Sequence, residues 1–396
     1  MGDRTLRRRV AASLLVAALA LPVAAAAKAG DPGRDRQVHM NEIQLINTHD
    51  SYHRELGPAE KAMFDSLSGR PGAYDENLGY SHLTLAGQLS RQNVRGLEID
   101  LFPDDPQGGR YATPLLRRLL DLGPLPDPDW RKPGIKVMHV ADVDYNTSCV
   151  LFTTCLAQIK SWSDAHAGHL PLFVMLELKR TDNNWASRGG VTVPAWDGPN
   201  FEEIDREILS MFDRRDLITP DDIRRRGLTV NESMLRFGWP SLADSRGKVM
   251  FFFNNVGNTS AYTEGHPNLE GRVLFPNANP GESNSAYRGR DEIPQLVDEI
   301  RGLVQQGYIV RTRADVSLGT VRQGDETRVQ QALASGAQLV STDFPTEGMS
   351  ARYNTDFVAQ LPDGAVARCN PVNAPRACRD DRLEPRFGRG ARRAGR

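Results

Sequence analysis

Short apolar runs recur along the chain, and most of them stop abruptly at polar or titratable residues. Ile43-Gln44-Leu45-Ile46 runs into Asn47-Thr48-His49-Asp50-Ser51-Tyr52-His53. Runs of this length, bounded by turn residues, read as buried strands. The pattern predicts eight of them, at 43–48, 96–101, 135–140, 172–178, 248–253, 272–275, 308–312 and 338–342. Most are continuously apolar rather than alternating, as expected when both faces of a parallel sheet are covered. Helical spacing appears between them, near 85–94, 115–120, 150–165, 201–213, 220–226, 291–306 and 325–335. Strands alternating with helices predict an α/β fold, a TIM-type (βα)8 barrel. An open doubly wound sheet is the runner-up, but no glycine-rich phosphate loop follows the first strand. Long polar stretches at 54–82, 103–134 and 181–200 are expected as loops at the carboxyl rim.

Composition sharpens this in three places. Residues 1–29 hold Arg7-Arg8-Arg9 and an apolar, alanine-rich run from Val10 to Ala27, the layout of a secretory signal peptide rather than a membrane anchor. Export in turn predicts oxidised cysteines. The four, Cys149, Cys155, Cys369 and Cys378, suggest two short bridges by proximity, although three pairings are open. Both ends are basic, with eight Arg against three acids in residues 376–396, so the body between them is acidic. An acidic body disfavours a nucleic-acid partner. The expected organisation is a signal peptide at 1–29, a barrel at 30–350, an extension at 351–378 and a flexible Arg-rich tail at 379–396. The mature protein is expected to be secreted and monomeric.

The candidate chemistry lies where the strands stop. Glu98 and Asp100 are two apart, so a strand puts both on one face. Asp50 and Glu177 close neighbouring strands. Clustered carboxylates without Cys suit a hard cation, Ca2+ first and Mg2+ second. His49 and His139 each close an apolar run and could act as acid and base across a substrate. His53 is a weaker candidate, and the other histidines read as structural. Lys179 shares a face with Glu177, and Arg311 shares one with Arg313. Cations at a barrel mouth suit an anionic, phosphate-bearing substrate. No Gly-x-Ser-x-Gly elbow is present, which disfavours a serine hydrolase.

Thr48-His49-Asp50-Ser51-Tyr52-His53 resembles the Thr-His-Asn-Ser-Tyr-His stretch of phosphatidylinositol-specific phospholipases C. Arg95-Gly-Leu-Glu-Ile-Asp100, Val137-Met-His139, Leu176-Glu-Leu-Lys179 and Val310-Arg-Thr-Arg-Ala-Asp315 follow in the order of that family, and the secreted, calcium-dependent bacterial branch is the most similar. The resemblance implies cleavage of phosphatidylinositol to diacylglycerol and a cyclic inositol phosphate. His49 and His139 would be catalytic, and Asp50, Glu98, Asp100 and Glu177 would hold Ca2+. Lys179 and an arginine of the seventh strand would hold the substrate. Asp50 stands where the family has Asn, and the added charge should tighten cation binding. The related glycerophosphodiester phosphodiesterases share the barrel but carry His-Arg-Gly at the first strand, which is absent here. A phospholipase D-like enzyme and a non-catalytic binding protein are the other readings. A lipid substrate implies work at a membrane surface; the rim loops carry Met63, Phe64, Trp185 and Trp196, and the rim with Trp185 and Trp196 is expected to touch it.

Overall fold

A computed structural model of the chain describes residues 32–384. The segment expected as a signal peptide, 1–29, and most of the Arg-rich tail lie outside these residues. The strands are β1 (Ile43–Thr48), β2 (Gly96–Phe102), β3 (Lys136–Val137), β4 (Leu172–Leu178), β5 (Leu217–Ile218), β6 (Val249–Phe253), β7 (Phe275–Pro276), β8 (Tyr287–Gly289), β9 (Ile309–Arg313), β10 (Leu339–Thr342) and β11 (Ala367–Cys369).

Parallel pairing runs from β1 to β2, β4, β6 and β7. An isolated parallel bridge, Asn277 to Tyr287, joins β7 to β8. Pairing of β8 with β9, β9 with β10 and β10 with β1 completes the ring. Eight parallel strands therefore close a barrel, as the hydrophobic pattern predicts. β1, β2 and β6 are buried at every position, which explains why they do not alternate. Outside the barrel pack helices such as Phe152–Ala165 and Gly198–Met211, the latter started by an Asp197 cap and Pro199.

Two strand assignments need correction. The segment expected as a third barrel strand, 135–140, is instead the two-residue β3, paired antiparallel with the carboxyl end of β2. The place beside β2 belongs to β4, in register from Gly96↔Phe173 to Leu101↔Leu178. The barrel strand without a sequence signal is β8, Tyr-Arg-Gly, too short and too polar to stand out. β5 pairs only with the start of β6 and is not a stave of the barrel.

The 54–82 stretch is not a bare loop. Pro58–Ser68 and Ala73–Leu78 are helices, the first begun by Pro58 and by Glu60 accepting from the Gly57 N–H at 3.2 Å. With the 103–134 and 181–193 segments they build a second hydrophobic core above the barrel. It contains Leu56, Tyr74, Phe102, Leu116, Trp130 and Trp185.

Both short disulfides, Cys149–Cys155 and Cys369–Cys378, are formed. The extension after β10 returns to lay β11 antiparallel on β1. The start of the expected tail is also anchored. Arg95 Nε donates to Glu384 at 3.0 Å, both side chains are buried, and Glu384 also accepts from the Leu170 N–H at 2.7 Å. Up to residue 384, then, the tail is a clasp across the barrel exterior rather than a flexible end.

Candidate active site

The turn after β1 begins the site. Asp50 sits at φ +42°, a left-handed conformation that Asn and Asp tolerate better than most residues. Ser51 ties this turn to β2, its N–H donating to the Glu98 carbonyl at 3.0 Å and its Oγ accepting from the Glu98 N–H at 2.8 Å. Tyr80 and Tyr52 donate to the two Asp50 oxygens at 3.0 and 3.3 Å.

β2 and β4 supply the rest of the acids. Their register sets Asp100 directly against Glu177. Glu98, Asp100 and Glu177 each bring one oxygen within 4.8 Å of the other two. Within the same distance limit, atoms of Asp50 cluster with His49 and Glu98, and separately with Asp100 and His139. Lys179 Nζ lies 2.9 Å from Asp100 and 3.4 Å from Glu177 and partly neutralises them. Despite this ion pair, neither Asp100 oxygen has an aligned hydrogen bond, and Glu98 Oε1 has none either. Buried carboxylate oxygens without partners are costly, and a dication is the obvious compensation. Oxygen donors of this number suit Ca2+. Asp50, Glu98, Asp100 and Glu177 thus fit the group that the sequence implies.

Each catalytic candidate has its own carboxylate. His49 Nδ1 pairs with Asp343 Oδ1 at 2.8 Å, and Asp343 also accepts from Arg313 at 3.0 Å. Its Nε2 lies 3.6 Å from Glu98. His139 does not end a barrel strand. It precedes a tight turn closed by Val140 and Asp144, whose N–H groups each donate to the other's carbonyl at 2.9 Å. His139 Nδ1 pairs with Asp144 at 2.8 Å, leaving Nε2 3.8 Å from Asp50. Asp144 is fully buried and also contacts His53 Nε2 at 3.0 Å and the Tyr74 hydroxyl at 2.6 Å. His53 is buried and faces Asp144, a place in the support of His139 rather than at the mouth.

The electrostatics follow from this crowding. Burial and the Arg313 guanidinium oppose charge on His49, but Asp50, Glu98 and Asp343 outweigh them and raise its pKa to about 10. Burial opposes ionisation of Asp343, yet His49 and Arg313 lower it to about 2. Burial holds Glu98 and Asp100 above the usual carboxylate range, against the pull of Arg311 and Lys179 respectively. Glu177, nearer solvent, is lowered by Lys179.

Of the residues expected to hold substrate, Lys179 and Arg313 reach the mouth, with side chains 17% and 13% exposed. Arg311 is 2% exposed and fixed by Glu98 and Asp291, each at 2.6 Å. Its guanidinium supports Glu98 from behind. Trp185 and Trp196, expected as exposed interfacial rings, are both buried. Trp185 packs on Phe64 at 5.7 Å in the second core, and Trp196 packs on Phe201 and donates to the Lys179 carbonyl at 2.8 Å. Their loops fold back on themselves, which removes both rings from any bilayer. The two supporting acids, Asp144 and Asp343, were not singled out from sequence. Asp343 did carry a signal, since it closes a predicted strand; Asp144 carried only its nearness to His139.

Fold and site together define a closed parallel barrel with a carboxylate cluster and two acid-supported histidines at its carboxyl rim. The profile of the family described as "Phosphoinositide phospholipase C, Ca2+-dependent" matches residues 38–371. The chain belongs to that family. Among solved structures, a calcium-dependent phosphoinositol-specific phospholipase C from a Gram-negative Pseudomonas sp. is similar at 16% identity and a TM-score of 0.51, covering 86% of this chain and 97% of that one. A Ca2+-dependent phosphatidylinositol-specific phospholipase C from Streptomyces antibioticus is 17% identical, with a TM-score of 0.48 over 80% of this chain and 98% of that one. Comparison with curated protein sequences finds no match.

Proposed function

We propose that this chain is a secreted phosphodiesterase that cleaves phosphatidylinositol to diacylglycerol and a cyclic inositol phosphate. The observation that carries the reading is the pair of histidines, each oriented by its own carboxylate, on either side of Asp50. The inositol 2-hydroxyl attacks phosphorus while one imidazole takes its proton. The bond from phosphorus to the glycerol oxygen breaks, and the other imidazole gives that oxygen a proton. Lys179 and Arg313 draw the phosphate to the mouth. Ca2+ held by Asp50, Glu98, Asp100 and Glu177 would supply charge that acidifies the hydroxyl and offsets the phosphate. Export is supported by the apolar 10–27 segment and by two disulfides.

The test is an assay on phosphatidylinositol vesicles with Ca2+, with products followed by phosphorus NMR. Diacylglycerol and cyclic inositol phosphate are expected, with loss of turnover in excess chelator. His49→Ala and His139→Ala should each lower the rate at least ~10²-fold with native circular dichroism. Release of glycerol phosphate and a free alcohol would assign the barrel to glycerophosphodiester chemistry instead.

A further inference from the structure

At the end of the barrel opposite the site lies a cavity of about 600 Å³. Its walls come from residues that precede barrel strands. His39 lies shortly before β1, and Lys248 is the last residue before β6. Trp239 is buried, and its indole N–H donates at 2.9 Å to the carbonyl of Gly307, two residues ahead of β9. The segment around Pro240 is tied to the entry of β1. The Met40 N–H donates to the Pro240 carbonyl at 3.0 Å, and the Leu242 N–H to the Val38 carbonyl at 2.7 Å. Gly238 turns the chain out of the Val230–Phe237 helix at φ +74°, a conformation that favours glycine, and a Cβ there would lie 3.5 Å from His39 Nδ1.

Three cations line this cavity, Arg36, Arg225 and Lys248. Among the described residues, none of their side chains makes an ion pair or a hydrogen bond. Arginines close by are paired: Arg224 meets Asp221 at 2.6 Å, and Arg246 meets Asp35 at 2.7 Å. The body of the chain is acidic, so a shortage of carboxylates does not explain the contrast. Like charges on one concavity repel each other and focus a positive field into it, and a bound anion relieves both. Two carboxylates, Asp222 and Asp244, also line the cavity. Each has one oxygen engaged. Asp222 Oδ2 accepts from the Thr219 N–H at 2.7 Å and from its hydroxyl at 2.9 Å, and Asp244 Oδ2 accepts from the Ser241 hydroxyl at 2.7 Å. Three cations against two carboxylates leave attraction for one anionic group rather than several. The second oxygen of each acid remains to accept from hydroxyl groups.

We propose that this cavity binds a soluble phosphate monoester of a polyhydroxy compound, such as a sugar phosphate. The phosphate meets Arg36, Arg225 and Lys248, which come from three separate segments. Cations brought from several sides suit the tetrahedral oxygens of phosphate better than a planar carboxylate, which one bidentate arginine satisfies. Hydroxyls of the organic part donate to Asp222 and Asp244. The volume falls in the range of small-molecule sites. The cavity opens at the amino ends of the strands, whereas the histidines, the carboxylate cluster and the rim that would meet a lipid surface lie at the carboxyl ends. Its ligand therefore comes from solution and not from the bilayer that carries the substrate. The proposal stands independently of the phosphodiesterase reading above.

The test titrates glucose 6-phosphate and inorganic phosphate separately into the full chain and follows the backbone amides by NMR. The amides of Gly238, Ser241 and Lys248 should shift, and glucose 6-phosphate should bind the tighter of the two. The triple variant Arg36→Ala/Arg225→Ala/Lys248→Ala should bind glucose 6-phosphate at least ~10-fold more weakly, because charge-assisted hydrogen bonds are lost. Removing these cations strands no partner, so its circular dichroism should stay native. A control that loses the same charge, Arg70→Ala/Arg206→Ala/Arg215→Ala, replaces side chains 59%, 69% and 82% exposed elsewhere and should bind like the parent. No shift at the three amides in the parent, shifts confined to the surroundings of His49 and Lys179, or equal weakening in the control overturns the proposal. Equal affinity for the two probes overturns the assignment to a polyhydroxy ester. Sedimentation with phosphatidylinositol vesicles tests the source of the phosphate. The parent and the triple variant should sediment alike, and a loss confined to the triple variant would give the cavity to a lipid headgroup and overturn the soluble ligand.

Discussion

Asp144 gathers three side chains at once: His139 at 2.8 Å, His53 at 3.0 Å and the Tyr74 hydroxyl at 2.6 Å. Two rings that approach one carboxylate with N–H groups cannot keep their orientation if it becomes an amide. Asp144→Asn presents a donor to a donor and should cost about 10²-fold or more in kcat, as when a histidine's supporting carboxylate is neutralised elsewhere. Rate and near-UV circular dichroism, measured together, separate lost orientation from unfolding, and a near-parental rate would sink the role. His49 gives a second prediction. Its pKa is lifted to about 10 because Asp50, Glu98 and Asp343 outweigh burial and Arg313. Two of those acids belong to the proposed Ca2+ set, so a bound dication offsets the field and the ring must become easier to deprotonate. Following the ring protons of His49 by NMR, added Ca2+ should move its titration downward; an unmoved titration would detach Asp50 and Glu98 from the metal. The site acids and histidines were legible in sequence because Glu98, Asp100 and Glu177 interrupt apolar runs and His49, Asp50 and His139 come shortly after the end of one. Asp144 was not, since its role depends on a tight turn and on three partners that only tertiary structure brings together.

At the scale of elements, most of the longer apolar runs read correctly, the weak run at 272–275 only overlapped the two-residue β7, and the three-residue β8 left no signal. β2, β4 and β6 are each five to seven residues and buried almost throughout, which leaves a pattern. β7 and β8 are two and three residues long, so their place in the barrel is set by neighbours rather than by their own composition. The run at 135–140 looked like a stave because burial, not barrel membership, is what an apolar run reports. It is buried under the rim core instead. The piece that holds it there makes a pH-dependent contact. Glu207, on the Gly198–Met211 helix, accepts from the Ile135 N–H at 3.1 Å just ahead of β3. Burial raises its pKa from 4.5 to about 7, against the pull of that hydrogen bond. The folded state therefore holds a proton that the unfolded chain releases. The resulting stabilisation is complete below about pH 4.5 and is lost as pH rises through about 7. Glu207→Gln carries no such charge, so relative to the parent it should gain about 1–3 kcal/mol between pH 4.5 and 8. Chemical denaturation at the two pH values checks this, and an identical stability difference at both would refute it.

The whole molecule is a barrel with a second core seated on its carboxyl rim, and that arrangement decides which apolar groups face outward. The rim core takes in Trp185 and, around it, Phe64 and Met63. The large apolar side chains that stay exposed include Leu119, Leu122, Leu209, Leu235 and Phe237, and two valines that closely follow barrel strands: Val256, three residues past the end of β6, at 48%, and Val316, three past β9, at 50%. Both follow carboxyl ends of barrel strands, so both stand on the face that holds the site. We propose these valines as the contact with the lipid surface, in place of the buried tryptophans. Burying a valine in an apolar layer is worth about 1.5–3 kcal/mol, whereas a carboxylate at the same place resists entry and is repelled by anionic headgroups. The double variant Val256→Asp/Val316→Asp should therefore lower activity on phosphatidylinositol vesicles at least ~10-fold more than activity on monomeric dihexanoyl phosphatidylinositol. Sedimentation with the same vesicles should show the variant left in solution. Parallel losses on both substrates, with vesicle binding intact, would mean that the valines serve the loops that carry them and that the lipid surface is met by another part of the rim.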